Sequence, residues 1–160
     1  MIAVRRAAAT DKGPMATLLN AIIEQGGTTA LTRLVTGADI AGFMDFAPDR
    51  SAWHVALDGD QVCGFQYVQP KDSLPPSACD IATFVQIGRT GLGIGSALFR
   101  ATTQAAKALG YTWINANIRA DNEGGLIYYQ SRGFHVYGHQ EGVKLANGQT
   151  VDKVLKRYEL

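Results

Sequence analysis

The stretch TGLGIGSALF, Thr90 to Phe99, places glycines at 91, 93 and 95 directly before a helical pattern. Residues without Cβ let a ligand approach the backbone closely. The orphan N–H groups of a helix N-terminus point outward beside them, and the helix dipole adds roughly half a positive charge. That combination suits an anion such as a phosphate. A nucleoside-triphosphate loop of type G-x-x-x-x-G-K-[ST] is excluded, because no lysine follows the glycines. A dinucleotide fingerprint, G-x-G-x-x-G, fits poorly: the spacing is G-x-G-x-G, Ser96 stands near the place of the third glycine, and the motif lies past mid-chain. A tight connection that binds nothing would also use such glycines. A second candidate is Asp80, set in the apolar run CDIATFV. A carboxylate there is costly unless it is paired, functional or at a solvated strand end.

The elements that must position these residues follow from periodicity. IAVRRA begins as a strand. Met15, Leu18, Leu19, Ile22 and Ile23 recur at helical spacing until the glycine pair in EQGGTTA. A weaker helix is expected from Ala38 to Phe46, ending before Pro48. AWHVALDGDQVCGFQYVQP reads as a hairpin with Asp58-Gly59 at its turn. CDIATFVQI is a strand leading into the glycines. Ile94, Leu98, Ala101, Ala105 and Leu109 mark one helix face, with Gly110 as its C-terminal stop. YTWINANI is a strand, NEGGLIYYQSRGF a short helix closed by Gly133, and VKLANGQTV a hairpin with Asn147-Gly148 at its tip. The order is β, α, α, three strands, α, β, α and two strands, a mixed α/β domain that is neither a barrel nor a doubly wound sheet.

With 160 residues, the chain suits one core, a single domain over 1–160. A net charge of +1 gives no basic excess, so no nucleic-acid partner is expected. The N-terminus becomes polar too soon for a signal peptide, and the apolar run around MATLLNAII is too short for a membrane span. Cys63 and Cys79 are read as reduced core residues of a cytoplasmic protein. Neither they nor His54, His135 and His139 have metal-ligand spacing, so no metal is expected.

Two linked motifs add a resemblance. TGLGIG, Thr90 to Gly95, follows a strand and opens a helix. Further on come Asn122, Gly125, Leu126, Tyr128, Tyr129, Gly133 and Phe134. Together they resemble the Gcn5-related N-acetyltransferase (GNAT) superfamily, whose loop runs [QR]-x-x-G-x-[GA] and whose second motif runs N-x-x-A-φ-x-φ-Y-x-x-x-G-F, with φ apolar. The likeness spans residues 2 to 138 in element order and is sharp over 80 to 134. The branch it looks most like is that of the phosphinothricin and methionine-sulfone acetyltransferases. Two positions depart from the pattern: Thr90 stands where Arg or Gln is usual, with Arg89 one place earlier, and Gly125 replaces alanine.

The resemblance implies a mostly antiparallel central sheet of about six to seven strands, in which the strand before the loop splays from the next, with flanking helices. It implies acetyl-CoA as cofactor, direct acetyl transfer to the primary amine of a small amino-acid-like substrate, and a homodimer. The backbone of Thr90, Gly91, Leu92, Gly93, Ile94, Gly95 and Ser96 would hold the pyrophosphate. Phe84, Val85 and Ile87 would lie along the pantetheine, with the Val85 N–H as donor to the charge developing on the carbonyl oxygen. Tyr129 would protonate the leaving thiolate: a phenol of pKa about 10 can donate to a thiolate whose acid lies near ~8.5. Tyr128, its neighbour, is assigned to core packing. Asn122 would cap its helix and bond the pantetheine. Asp80 matches the place of a glutamate and would take the proton of the ammonium, directly or through water. The acceptor pocket would draw on Glu24, Thr28, Thr29, Gln66 and Asn117, with Asn115 a further strand candidate and Lys71 and Arg33 facing an acceptor carboxylate or phosphinate. Strand-edge hydrogen bonding and loop capping are open alternatives for each. A protein or peptide acetyltransferase and a non-catalytic acyl-CoA sensor would use the same scaffold.

Overall fold

The computed structural model describes all 160 residues, and the expected order of elements is found throughout. Strand β1 (Ile2–Arg6) is followed by helices α1 (Lys12–Gln25) and α2 (Gly37–Asp45). Strands β2 (Ala52–Asp58), β3 (Gln61–Gln69) and β4 (Ala78–Val85) then lead into α3 (Ile94–Ala108). Strand β5 (Trp113–Arg119), helix α4 (Glu123–Arg132) and strands β6 (His135–Lys144) and β7 (Thr150–Glu159) complete the chain. All seven strands join one sheet in the order β1-β2-β3-β4-β5-β7-β6. Every pairing is antiparallel except β4 with β5.

Local chemistry sets the boundaries. Thr36 caps α2 by accepting from the Asp39 N–H at 3.1 Å, and Asp39 accepts from the Thr36 N–H at 2.8 Å, a reciprocal capping box. Gly110 and Gly133 follow α3 and α4 with φ of 91° and 106°, the left-handed conformation that ends a helix. The β2–β3 turn is Gly59-Asp60 rather than Asp58-Gly59. Asp58 stays in β2 opposite Gln61, and Gly59 alone takes a positive φ, as the first turn residue.

Residues directly opposite on paired strands share a face, and this sorts the core into two layers. On one face Trp53, Val55, Phe65 and Phe84 pack with Met15, Leu19, Ile22 and Ile40 of α1 and α2. On the other, Val68, Cys79, Ile81 and Ile114 pack with Phe99, Ala105 and Ala106 of α3 and Tyr129 of α4. Ala56 and Cys63 meet Ile94 and Leu98 on that second face. Both cysteines are free and buried. No helix is long and apolar enough to cross a membrane, and no three His, Cys, Asp or Glu side chains come together as a metal site.

The start of α3 is pressed against α4. A Cβ added at Gly95 would lie 2.6 Å from Cε1 of Tyr128, and the Tyr128 hydroxyl donates to the Gly95 carbonyl at 2.8 Å. Replacing Gly95 by Ala is therefore expected to displace Tyr128 and cost about 1–3 kcal/mol, measurable by denaturant unfolding. His54 is buried with its Nδ1 unpartnered, and desolvation, aided by the charge of Arg6, lowers its pKa to about 4. Between about 4 and the ordinary ~6.5 the unfolded chain binds a proton that the native chain refuses, so stability falls as pH drops through that window. The expected loss is on the order of 2 kcal/mol, and His54→Gln should flatten the pH dependence of unfolding between those limits.

Candidate active site

The β4–β5 ladder lasts three residue pairs, Ala78–Trp113, Cys79–Ile114 and Asp80–Asn115, and then the strands part. Beyond it β4 continues to Val85 on β3 alone, and β5 continues to Arg119 on β7 alone. The parting is the expected splay, and a cavity of about 850 Å³ fills it.

Backbone polarity inside the gap follows from two hydrogen bonds. The Gln86 N–H donates to Cys63 O at 2.9 Å, so at 86, 84 and 82 the backbone faces β3. The Thr112 N–H donates to Ser77 O at 2.8 Å, so at 77, 79, 81, 83 and 85 it faces β5. Thr83 and Val85 therefore present N–H and C=O groups to the cavity, where β5 no longer meets them. Such groups need a partner.

At the mouth, Gly91 and Gly93 take φ of 82° and 81°, backbone that a side chain would strain. Thr90, Gly91, Ile94 and Gly95 line the cavity with Phe84, Val85 and Ile87. Leu92, Gly93 and Ser96 do not: Leu92 points to solvent, and the Ser96 hydroxyl accepts from Arg132. Gly95 serves the α3–α4 contact as much as the mouth. Arg89 also lines the cavity, and its NH1 donates to Asp58 Oδ2 at the end of β2 at 2.7 Å.

Tyr129 is buried, and its hydroxyl shares a hydrogen bond of 2.8 Å with Thr83 Oγ1. Gln66 Nε2 donates to Thr83 Oγ1 at 2.8 Å and to the Tyr128 hydroxyl at 3.1 Å. Gln66 is thus a fully buried brace behind the two tyrosines and does not line the cavity. Tyr128, expected only to pack, lines the cavity and ties Gln66 to the Gly95 carbonyl. Burial raises the pKa of the Tyr129 phenol, with the Thr83 bond partly opposing, so its proton is held.

Asp80 lies on the α1–α2 face of the sheet, where Tyr67 and Phe84 also point. Asn115 Nδ2 donates to its Oδ1 at 2.8 Å, and Lys71 Nζ stands 3.9 Å from Oδ2. Burial raises its pKa above the ordinary carboxylate range, against the opposing charge of Lys71, the Asn115 bond and Lys153. Tyr137 of β6 donates to Asn115 Oδ1, so Asn115 is oriented from behind. Asn115 itself does not line the cavity.

The chain after α1 crosses the opening. Gly26 and Gly27, both at positive φ, turn it, and Thr28 and Thr29 line the cavity. Asn122 Nδ2 donates to Thr28 O at 3.1 Å, and Arg119 donates to Thr29 O at 3.1 Å. The Asn122 Oδ1 caps α4 through the Gly125 N–H at 3.0 Å, as expected. A Cβ at Gly125 would lie 2.5 Å from Asn122 Nδ2, so the departure from alanine makes room for this amide. Asn117 lines the cavity with its Oδ1 buried and unpartnered. Glu24 and Arg33 do not line it and stand exposed, although Ile22 and Gln25 of the same helix as Glu24 do reach the cavity.

Sequence reasoning missed Thr83, Lys153, Arg119 and Tyr67, all of which line the cavity. Thr83 had a signal, as a polar residue beside Asp80 in an apolar run. Lys153 had none, since only the return of β7 beside β5 brings it to Asp80.

The sequence of residues 36–134 matches the model of the acetyltransferase (GNAT) family. No curated protein matches the chain. Among solved structures, a GNAT-superfamily phosphinothricin acetyltransferase from Sinorhizobium meliloti, in complex with acetyl-CoA, superposes with a TM-score of 0.88 at 20% identity, over 99% of this chain and 88% of that one. A ribosomal-protein-alanine N-acetyltransferase from Brucella melitensis gives 0.89 at 20% identity, over 99% of each chain. An N-acetyltransferase from Staphylococcus aureus Mu50 gives 0.89 at 22% identity, over 99% and 98%. With the family match covering the glycine loop, the parted strands and the Asn122–Phe134 helix, this chain belongs to the GNAT acetyltransferase family.

Proposed function

We propose that the chain is an acetyl-CoA-dependent N-acetyltransferase that acts on the primary amine of a small amino-acid-like acceptor. The observation that carries this reading is the arrangement of Asp80 and Tyr129 on opposite faces of the sheet, joined through one cavity between the parted strands. Acetyl-CoA supplies the activated acetyl thioester when bound. The residues present suit it: glycines leave the mouth open to phosphate, and unpaired backbone groups at Thr83 and Val85 match the amides of a pantetheine arm.

Each proton then has a group to hold it. Asp80, with its raised pKa, takes a proton from the acceptor ammonium, which is not nucleophilic until it loses one. The Val85 N–H, fixed by the strand, donates to the thioester carbonyl as its oxygen gains charge. Tyr129 would deliver its phenolic proton to the sulfur as the carbon–sulfur bond breaks, the second N–H proton, shed once the carbon–nitrogen bond has formed, would restore the phenol, and Thr83 and Gln66 keep the ring and hydroxyl in place.

The acceptor side has complementary chemistry. Lys71 and Lys153 flank Asp80 in the cavity, and burial beside Lys71 lowers the pKa of Lys153, which favours an incoming anion such as a carboxylate. A second hollow of about 370 Å³, lined by Leu31, Phe43, Phe46 and Tyr67, meets the main cavity at Leu31 and Tyr67 and suits an apolar side chain. A zwitterionic amino acid would place its ammonium at Asp80, its carboxylate at the lysines and its side chain in this hollow. The Thr28–Thr29 segment lines the cavity and is held there by Arg119 and Asn122. A cytoplasmic setting, a single domain and a homodimer complete the proposal, the first supported by the two free buried cysteines.

Tyr129→Phe is expected to lower kcat by about 10²-fold or more with acetyl-CoA affinity unchanged by calorimetry. A binding-only sensor would show no acetyl transfer in either form. Asp80→Asn is expected to lower kcat/KM for neutral amino acids by roughly 10²-fold. The wild-type rate should rise with pH through a pKa above the usual carboxylate range, a limb that Asp80→Asn removes. Equal rates for Asp80→Asn and wild type across the pH range would sink the general-base role.

A further inference from the structure

The hydroxyls of Tyr128 and Tyr129 sit in a row of hydrogen bonds whose directions follow from their donors and acceptors. The Tyr128 hydroxyl has one proton, and the Gly95 carbonyl at 2.8 Å can only accept it. The Gln66 atom 3.1 Å from the same oxygen must then be a donor, which fixes it as Nε2. Gln66 Nε2 gives its second hydrogen to Thr83 Oγ1 at 2.8 Å. Thr83 lies directly opposite Gln66 on the β3–β4 ladder, so register sets this bond.

One bond in the row can run either way, that of 2.8 Å between Thr83 Oγ1 and the Tyr129 hydroxyl. Were Tyr129 the donor, Thr83 would accept twice and its own proton would have no acceptor in the protein. With Thr83 as donor, its hydroxyl accepts one bond and gives one, and the bond from Gln66 strengthens the bond to Tyr129. The Tyr129 proton is then the last in the row. Thr83 is the only partner of its hydroxyl, and both residues line the cavity, so that proton turns to the cavity.

We propose that Thr83 is a positioning residue for acetyl transfer, its hydroxyl donating to the Tyr129 oxygen and so aiming the phenolic proton at the cavity where the thiolate departs. This rests on the acetyl-CoA reading and the Tyr129 role above. As the O–H bond of Tyr129 breaks and the S–H bond forms, Thr83 goes on donating to the phenolate oxygen until the proton shed from nitrogen restores the phenol. The bond acts in that sense in the resting protein, where it opposes the rise that burial imposes on the phenol pKa.

The test is steady-state acetyl transfer from acetyl-CoA to whichever of the standard amino acids or methionine sulfone the wild type turns over fastest. The variants are Thr83→Val, Thr83→Ser, Tyr129→Phe and the double variant of Thr83→Val with Tyr129→Phe. Thr83→Val keeps the shape and removes the donor. It is expected to lower kcat about tenfold with the KM for acetyl-CoA unchanged, and Thr83→Ser to keep most of the rate. The double variant is expected to be no slower than Tyr129→Phe alone, because Thr83 acts through that phenol. Were Thr83 the acceptor, valine would free the proton, so a kcat unchanged or raised in Thr83→Val would overturn the proposal. A full further loss in the double variant, which a packing defect would give, or a serine variant as slow as valine would overturn it too. A Tyr129→Phe enzyme as fast as wild type, or a wild type that acetylates none of these acceptors, would instead overturn the reading on which the proposal rests.

Discussion

The separation of β4 from β5 is the constraint on which the rest of the molecule depends. Two parallel strands that pair for three residues and then diverge leave backbone N–H and C=O groups facing each other across a gap. A buried gap of that kind is unfavourable unless water or a ligand satisfies it. The sheet sustains it because each strand keeps its other partner, β4 on β3 and β5 on β7, so the ladders on both sides remain complete. The site is therefore a discontinuity in hydrogen bonding held open by two continuous half-sheets.

In the proposed mechanism the gap also lets one sheet serve acid and base chemistry at once. Asp80 emerges at the last paired residue on one face, and Tyr129 approaches from a helix on the other. Burial acts on both in the same sense and favours their neutral forms, but their neighbours differ. Asp80 has Lys71, Lys153 and an amide donor to sustain its charge, whereas Tyr129 has only the neutral Thr83 hydroxyl within reach. These surroundings are what the proposed roles rest on, Asp80 to receive a proton and Tyr129 to keep one until it is needed.

Braces from distant elements make these positions rigid. Gln66 of β3 links Thr83 of β4 to Tyr128 of α4, and Tyr128 in turn ties to Gly95 at the start of α3. The absence of a side chain at Gly95 and at Gly125 lets Tyr128 and Asn122 approach as closely as they do. Glycines that look like a single phosphate signal thus divide between two duties: positive φ at 91 and 93, close packing at 95.

Much of this was legible from local chemistry. Periodicity and capping residues define the helices, because those signals act within a few residues: Gly110 and Gly133 end helices where the pattern requires, and Thr36 with Asp39 starts one. The glycine loop and the Asn122–Phe134 helix were legible for the same reason, since their spacing is a property of one turn and one helix. What only the tertiary structure decided are relations between elements far apart in the chain. Gln66 proved a brace rather than a pocket residue, Arg89 was drawn to Asp58, and Lys153 was carried to Asp80 by the return of β7. The direction of a strand side chain, and which cation meets which anion, depend on register and on the packing of separate strands and helices, and no local pattern encodes that.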